Sequence, residues 1–399
     1  MKVISRIRQR ITASFIEKAG IPEPKLITGL DSPKKLAEII KNDNHCKVLV
    51  MTSAGFIKRG SLEIIFEQFK NNGIEYLVYS EVMPDPTIIC IEEAVKVYDD
   101  NACDAIFAVG GGSVMDAAKV VGARVANPDV SVRDMQDGGK IKNPIPDLYA
   151  MPTTAGTGSE ATVAAVVTDE VDGSHYKYSV INFGLVPKYA VMYPQITLSL
   201  PPHITAATGM DALTHAVETY TNLYATDRVN KLAKKAVKMI FSNLKVAYED
   251  GSNIEARSNM LNASYYAGVA FTNNFVGYVH AVSHALGALY GIPHGQANAI
   301  VLPYVMDQYG SKVYKPLSNL ATVVGIEGDD DADRAEKFIE AIRQMNKDMG
   351  IPDKVDKLQE SDFDTIVTRA MKEANPAYPV PVIWGEEDFK LLLRRLLPR

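Results

Sequence analysis

The stretch AIFAVGGGSVMDAAKVVGARVA, Ala105–Ala126, decides the fold. Five apolar residues, Ala105–Val109, run straight into Gly110, Gly111 and Gly112, and helical periodicity begins after Ser113. A buried strand that breaks on glycines into a helix is the repeating unit of a parallel α/β sheet. Ser113 with Asp116 three residues later predicts a capping box at the helix start. Glycines let backbone N–H groups approach a diphosphate, and a helix N-terminus favours an anion. The bland reading is a tight strand–helix turn with no ligand, because the run lacks the GxGxxG spacing.

The alternation continues on both sides of this unit. KVLVMT (47–52), IEYLVYS (74–80) and LYAMPTT (148–154) are predicted strands, with helical patterns between them in RGSLEIIFEQFKNNG and IICIEEAVKVYDD. The expectation is a Rossmann-like parallel sheet with helices on both faces. MPTTAGTGSE (151–160) follows the fourth strand, and its Thr153, Thr154 and Ser159 can offer hydrogen bonds in the same crevice; taken alone it is equally a polar loop. ATVAAVVTD and KYSVINF flank Asp172-Gly173, a predicted hairpin turn. Beyond Pro201-Pro202 long helical patterns dominate, so the expected domains are residues 1–200, α/β, and 201–399, all-helical. Clefts between domains are common ligand sites.

The helical half carries the second signal. GMDALTHAVETY places Asp211 and His215 four apart, and VHAVSHALGALYGIPHGQAN holds His280, His284 and His294. Residues four apart share a helix face and can point two donors at one place. One carboxylate with several imidazoles suits Fe(II), Zn(II) or another divalent first-row metal. Any four of the five would complete a site, and spacing does not say which one stands outside. A single buried histidine is more often a core residue than a ligand; four with a carboxylate, in a chain of only seven histidines, favour the metal.

Composition narrows the class. The 399 residues are 47% hydrophobic and 23% charged with net charge −6, which excludes a general nucleic-acid binder and a basic membrane-surface protein. The three cysteines form no CxxC pair and suit a reducing cytoplasm. No run approaches the ~20 apolar residues of a membrane span. In MKVISRIRQRITASFIEKAG, Val3, Ile4, Ile7, Ile11, Phe15 and Ile16 recur at helical spacing, so the expectation is an amphipathic arm against a partner subunit rather than a secretory signal.

GGGSVMDAAK, PTTAGTGSE, AATGMDALTHAVETY and VHAVSHALGALYGIPHGQANAIVLPYV together resemble the iron-containing (group III) alcohol dehydrogenase family, in order from about residue 25 onward. The resemblance implies a dinucleotide-binding α/β domain, a helical metal-binding domain, and a homodimer or higher homo-oligomer. It implies metal ligands Asp211, His215, His280 and His294, with His284 as the catalytic histidine near the substrate. It puts Gly111, Gly112 and Ser113 on the pyrophosphate loop, with Thr153, Thr154, Ser159, Lys177 and Thr197 as further cofactor contacts. The implied reaction is hydride transfer between NAD(P)(H) and a small to medium alcohol or aldehyde at Fe(II), alternatively Zn(II).

Two positions depart from the family pattern. Where NAD-preferring members often carry an aspartate after the first strand stands Ser53, with Lys58 and Arg59 nearby. A serine can hydrogen-bond a 2′-phosphate that a carboxylate would repel, so NADP(H) is expected to be accepted. The family's usual Asp-Pro before the domain boundary is Tyr193-Pro194. The competing readings are a glycerol- or polyol-type dehydrogenase of the same superfamily, a metallohydrolase, which would need no glycine turn, and a cofactor-binding protein without catalysis.

Overall fold

The structure is a computed structural model that describes residues 2–171 and 174–398; the expected Asp172-Gly173 turn lies outside the described residues. The chain divides into two compact units, Ile21–Leu198 and Met1–Gly20 with Ser199–Arg399. The first twenty residues therefore group with the helical unit, not with the α/β residues that follow them as the expected 1–200 domain had it.

The reason lies in helix α1 (Lys2–Ala19). Arg6 donates to the carbonyls of Val380 and Pro381 at 2.6 and 3.1 Å, and Gln9 Nε2 donates to Tyr378 O at 2.7 Å. Gln9 and Ile16 are buried on the attached face. At 100° per residue, Ile4, Ile7, Ile11 and Phe15 fall on the opposite face, and with Val3 they are exposed. The helix is fastened by its polar side and presents its apolar side outward.

The α/β unit runs β1 (Lys25–Thr28), α2 (Ser32–Asn42), β2 (Lys47–Met51), α3 (Ala54–Lys58), α4 (Glu63–Asn72), β3 (Glu75–Tyr79), α5 (Ile88–Asp100), β4 (Ala105–Gly110), α6 (Gly112–Ala126), β5 (Asp147–Pro152), β6 (Ala164–Val171), β7 (Ser174–Ile181) and β8 (Tyr189–Met192). Six strands form one sheet in the order β1-β8-β5-β4-β2-β3, every pair parallel, while β6 and β7 form a separate antiparallel pair. Side-chain alternation feeds two cores. Leu49, Met51, Ile106, Ala108 and Leu148 pack with Ile91 and Ala94 of α5 and Val114 and Ala118 of α6. Val48, Val50, Phe107, Val109 and Tyr149 pack with Leu36 and Ile40 of α2 and Ile65 and Phe69 of α4. Full burial of each large side chain contributes about 1.5–3 kcal/mol.

At the head of α6 the capping expectation fails. Gly111 is the N-cap and α6 begins at Gly112, without a side-chain cap. Asp116 instead accepts from Ser159 Oγ at 2.7 Å and Val166 N at 3.0 Å. A glycine already satisfies the chain direction there, which releases the carboxylate for a tertiary role.

The helical unit continues with α7 (Pro202–Thr221), α8 (Asp227–Glu249), α9 (Ile254–Asn274), α10 (Tyr278–Tyr290), α11 (His294–Tyr309), α12 (Tyr314–Val323), α13 (Asp331–Asp348), α14 (Phe363–Ala374) and α15 (Glu386–Leu396). Pro202 opens α7, where its missing N–H costs no hydrogen bond. Nearly all of α7 from Thr205 onward is buried, so the polar side chains it carries must be satisfied inside the unit.

Candidate metal centre

Asp211, His215, His280 and His294 come together, one ligand atom from each lying within 4.8 Å of every other. Asp211 and His215 share a face of α7, His280 comes from α10 and His294 is the first residue of α11. Gly295 makes the last approach feasible: a Cβ there would stand 2.3 Å from Ala207 O and 3.2 Å from Asp211 Cβ. The Nε2 atoms of His215 and His280 lie 3.9 Å from Asp211 Oδ1, and that of His294 lies at 3.5 Å. His284 is not one of the four converging donors.

Orientation and protonation suit a cation. His280 Nδ1 is 2.5 Å from Glu218 Oε2, and Glu218 Oε1 accepts from Val279 N at 2.7 Å. A carboxylate on Nδ1 fixes the tautomer and turns the Nε2 lone pair toward the donor set, the usual outer partner of a metal-bound histidine. His215 is stacked between Phe271 at 4.2 Å and His280 at 4.6 Å. Burial, then repulsion among the imidazoles, holds His280 well below the ordinary histidine range. Burial likewise brings His294 down to about 4. Both rings are thus neutral at pH 7 and keep lone pairs for a metal. Among the described residues, the ion pairs of Asp211 are all to histidines, with no lysine or arginine among them. This donor set fits a divalent first-row metal.

The centre has an open side. The side chains of Asp211, His215 and His280 are at most 5% exposed, whereas His294 is 40% and His284 46% exposed. His284 stacks on His294 at 5.0 Å, and its Nδ1 is 2.8 Å from Glu373 Oε1, which also accepts from the Tyr378 hydroxyl at 2.9 Å. Burial works to lower the His284 pKa, but the charge and hydrogen bond of Glu373 outweigh it and the net shift is upward.

A second group, Asp43, His45 and Asp147, also brings ligand atoms within 4.8 Å. Lys188 already fills that role, with its Nζ 3.0 Å from Asp43 and 2.6 Å from Asp147.

In the α/β unit, Ser53, Gly111 and Thr153 follow the C-terminal ends of the adjacent strands β2, β4 and β5, where ligands bind in open parallel sheets. A Cβ on Gly111 would lie 3.7 Å from Thr154 Oγ1 and one on Gly112 3.2 Å from Thr157 Cγ2, so the two predicted cofactor segments are adjacent. Thr153 N donates to Gly110 O at 2.9 Å. Ser113 Oγ accepts from Asp85 N at 3.3 Å, and Asp85 pairs with Lys177 at 2.5 Å, which ties Lys177 to the same corner. Ser53 caps α3, which Lys58 closes and Arg59 follows, and it bridges by backbone to Glu81.

Two predicted contacts stand apart. Ser159 is buried against Lys119 and Asp116, and the Thr197 hydroxyl donates to Pro194 O at 2.7 Å. Tyr193 is buried in the core beside Phe107 and Tyr149, with its hydroxyl bonded to Gln195, which gives the family's departure at this position a packing role. Sequence reasoning missed Glu218, Glu373, Phe271 as a stacking partner, and Asn298. Glu218 had a local signal, three residues after His215 and seven after Asp211; Glu373, 89 residues from His284, had none.

With this geometry in view, the comparisons agree. The profile described as iron-containing alcohol dehydrogenase matches residues 23–194, and that of the Fe-containing alcohol dehydrogenase family, C-terminal, matches residues 205–397. The chain is 35% identical to a 1,3-propanediol dehydrogenase of Klebsiella pneumoniae, covering 88% of this chain and 91% of that one. It is 33% identical to an NAD-dependent methanol dehydrogenase of Bacillus methanolicus, covering 88% and 92%. It superimposes on an alcohol dehydrogenase from Oenococcus oeni with a TM-score of 0.88 at 33% identity, covering 94% of this chain and 99% of that one. The chain belongs to the iron-containing alcohol dehydrogenase family. Its chemistry is that of an oxidoreductase acting between alcohols and carbonyl compounds.

Proposed function

We propose that this protein interconverts small to medium primary alcohols and their aldehydes, with NADPH or NADH as the hydride partner and Asp211, His215, His280 and His294 holding the metal. The observation that carries the reading is a set of four converging donors, three of them buried and His294 on the open side, with no cationic side chain paired to Asp211 among the described residues. Fe(II) is the first choice, as in the family, and Zn(II) suits the same donors. Asp211, His215, His280 and His294 would hold a divalent metal that, when bound, would supply Lewis-acid polarisation of the alcohol or carbonyl oxygen.

The chain's own residues divide the remaining work. Glu218 orients His280, and Phe271 and His280 fix the plane of His215. His284, on the open side and hydrogen-bonded to Glu373, moves the substrate proton. Gly111, Gly112 and Ser113 receive the cofactor diphosphate at the start of α6, and Thr153, Thr154 and Lys177 line the same corner. Ser159 acts by joining Lys119 to Asp116, Thr197 by holding the backbone at Pro194, and Ser53 with Lys58 and Arg59 admits a 2′-phosphate.

Nicotinamide absorbance, followed with Fe(II)-loaded protein and a series of aldehydes, tests the reading. Oxidation of NADPH or NADH that depends on aldehyde and metal is expected; its absence with every aldehyde contradicts the proposal. Within that assay, kcat/KM for NADPH comparable to or above that for NADH is expected, and a strong NADH preference overturns the role given to Ser53.

We also infer a homo-oligomer in the cytoplasm. The outward apolar face of α1, outside the residues that match the family, supports a subunit contact, and three unpaired cysteines suit a reducing compartment. Light scattering should give a mass of at least two chains, reduced when Ile7 and Ile11 become serine.

A further inference from the structure

Asn298 reaches three of the four converging donors. It lies on α11, one turn after His294, and is 0% exposed. Its Nδ2 is 2.8 Å from Asp211 Oδ1, 3.1 Å from His280 Nε2 and 3.1 Å from His294 Nε2. Its Oδ1 points the other way, buried and without a hydrogen-bond donor. The amide N–H groups thus address the same lone pairs that a metal would take.

An amide NH2 and a cation cannot both serve those lone pairs. The side chain is enclosed, so it has no room to swing away as a whole. A half-turn of its terminal torsion exchanges N and O in nearly the same volume. That turn puts Oδ1 where Nδ2 lies, at 2.8–3.1 Å from three of the ligand atoms. Two donors that each lie about 2.1 Å from one ion can stand at such a separation. The oxygen would therefore sit at the spacing of a neighbouring ligand.

We propose that Asn298 is an additional, neutral oxygen donor to the metal, and that it biases this centre toward Fe(II) or Mn(II) over Zn(II). A fifth protein donor disfavours the four-coordinate tetrahedron that zinc adopts and suits ions that accept more ligands. The inference rests on the metal reading above and deepens it.

The test loads wild type, Asn298→Leu and Asn298→Asp with Co(II), Fe(II) or Zn(II), and reads affinity by chelator competition together with the Co(II) d–d spectrum. Asn298→Leu keeps the side-chain bulk and removes the oxygen. It should weaken Fe(II) by about 10–100-fold and Zn(II) by less, and its Co(II) bands should intensify as the coordination number falls. Asn298→Asp keeps an oxygen in place; it should preserve the wild-type spectrum and bind Fe(II) at least as tightly. An unchanged spectrum and Fe(II) affinity in a folded Asn298→Leu overturns the proposal, as does equal weakening of both metals. If Asn298→Leu does not fold, a folded Asn298→Asp that loses Fe(II) overturns it. Wild type that takes up no metal overturns the metal reading itself, whereas metal-binding wild type with indifferent Asn298 variants overturns only the role of Asn298.

Discussion

Two polar clusters in this molecule each gather acceptors around a carboxylate and differ in where the balancing charge comes from. In the α/β unit, Lys119 donates to Ser159 Oγ, Thr162 Oγ1 and Ala164 O at 2.7–3.0 Å, with Asp116 and Glu160 close by. In the helical unit, Asp211 meets His215, His280 and His294. The first cluster contains its own cation, pushed down to about 8 by burial but still largely charged at pH 7. The second contains only acceptors and an asparagine. Converging acceptors without a cation of their own suit one from outside, which is why the second cluster is proposed to hold a metal and the first is a structural knot beneath the glycine turn. Asp43, His45 and Asp147 repeat the lesson, because Lys188 closes that group.

The contrast can be broken by substitution. The largest effect is expected from His280→Ala, which should lose the metal and lower kcat/KM by on the order of a thousandfold or more, given the several kcal/mol of Lewis-acid stabilisation at stake. Metal analysis and the aldehyde assay on the same preparation check it. Lys119→Met removes the cation of the other cluster and leaves its carboxylates buried. It should destabilise the fold by about 3–5 kcal/mol in denaturant titration while the folded fraction still binds metal; metal loss with unchanged stability would reverse the assignment of the two clusters. Glu218→Gln should weaken metal binding by about 10–100-fold without abolishing it, measured against a chelator.

The smallest effect is a shift in pH. Glu373 raises the His284 pKa, so the imidazolium persists above its ordinary range. Aldehyde reduction, which consumes the proton, should fall as pH rises through that raised value. Glu373→Gln removes the charge and should move the falling limb of the kcat/KM profile to lower pH; a limb that stays put separates His284 from proton transfer.

Much of this was legible from residue order. The strand–glycine–helix run predicted the parallel sheet, because apolar strands buried on both faces leave a continuous signal. The four-residue strands β1, at the sheet edge, and β8, beside it, left too short a pattern; the pairing of β8 with both β1 and β5 defines them. The Ser113–Asp116 spacing misled because a glycine took the cap. For α1 the spacing identified an apolar face but not which face is fastened; backbone carbonyls 370 or more residues away decide that, through Arg6. At the metal centre the i,i+4 spacing brought out five candidates and could not divide them. The family resemblance divided them, and the donor atoms that converge are those of the four residues it implies. Asn298 stayed hidden because an asparagine four residues after a histidine carries no metal signature of its own.

Metal content per chain after Fe(II) loading tests the central claim most directly, compared between wild type and His284→Ala. The account predicts one metal ion per chain in both, with activity lowered about 100-fold or more only in His284→Ala. Wild-type activity with no metal bound, or loss of the metal from His284→Ala, would contradict it.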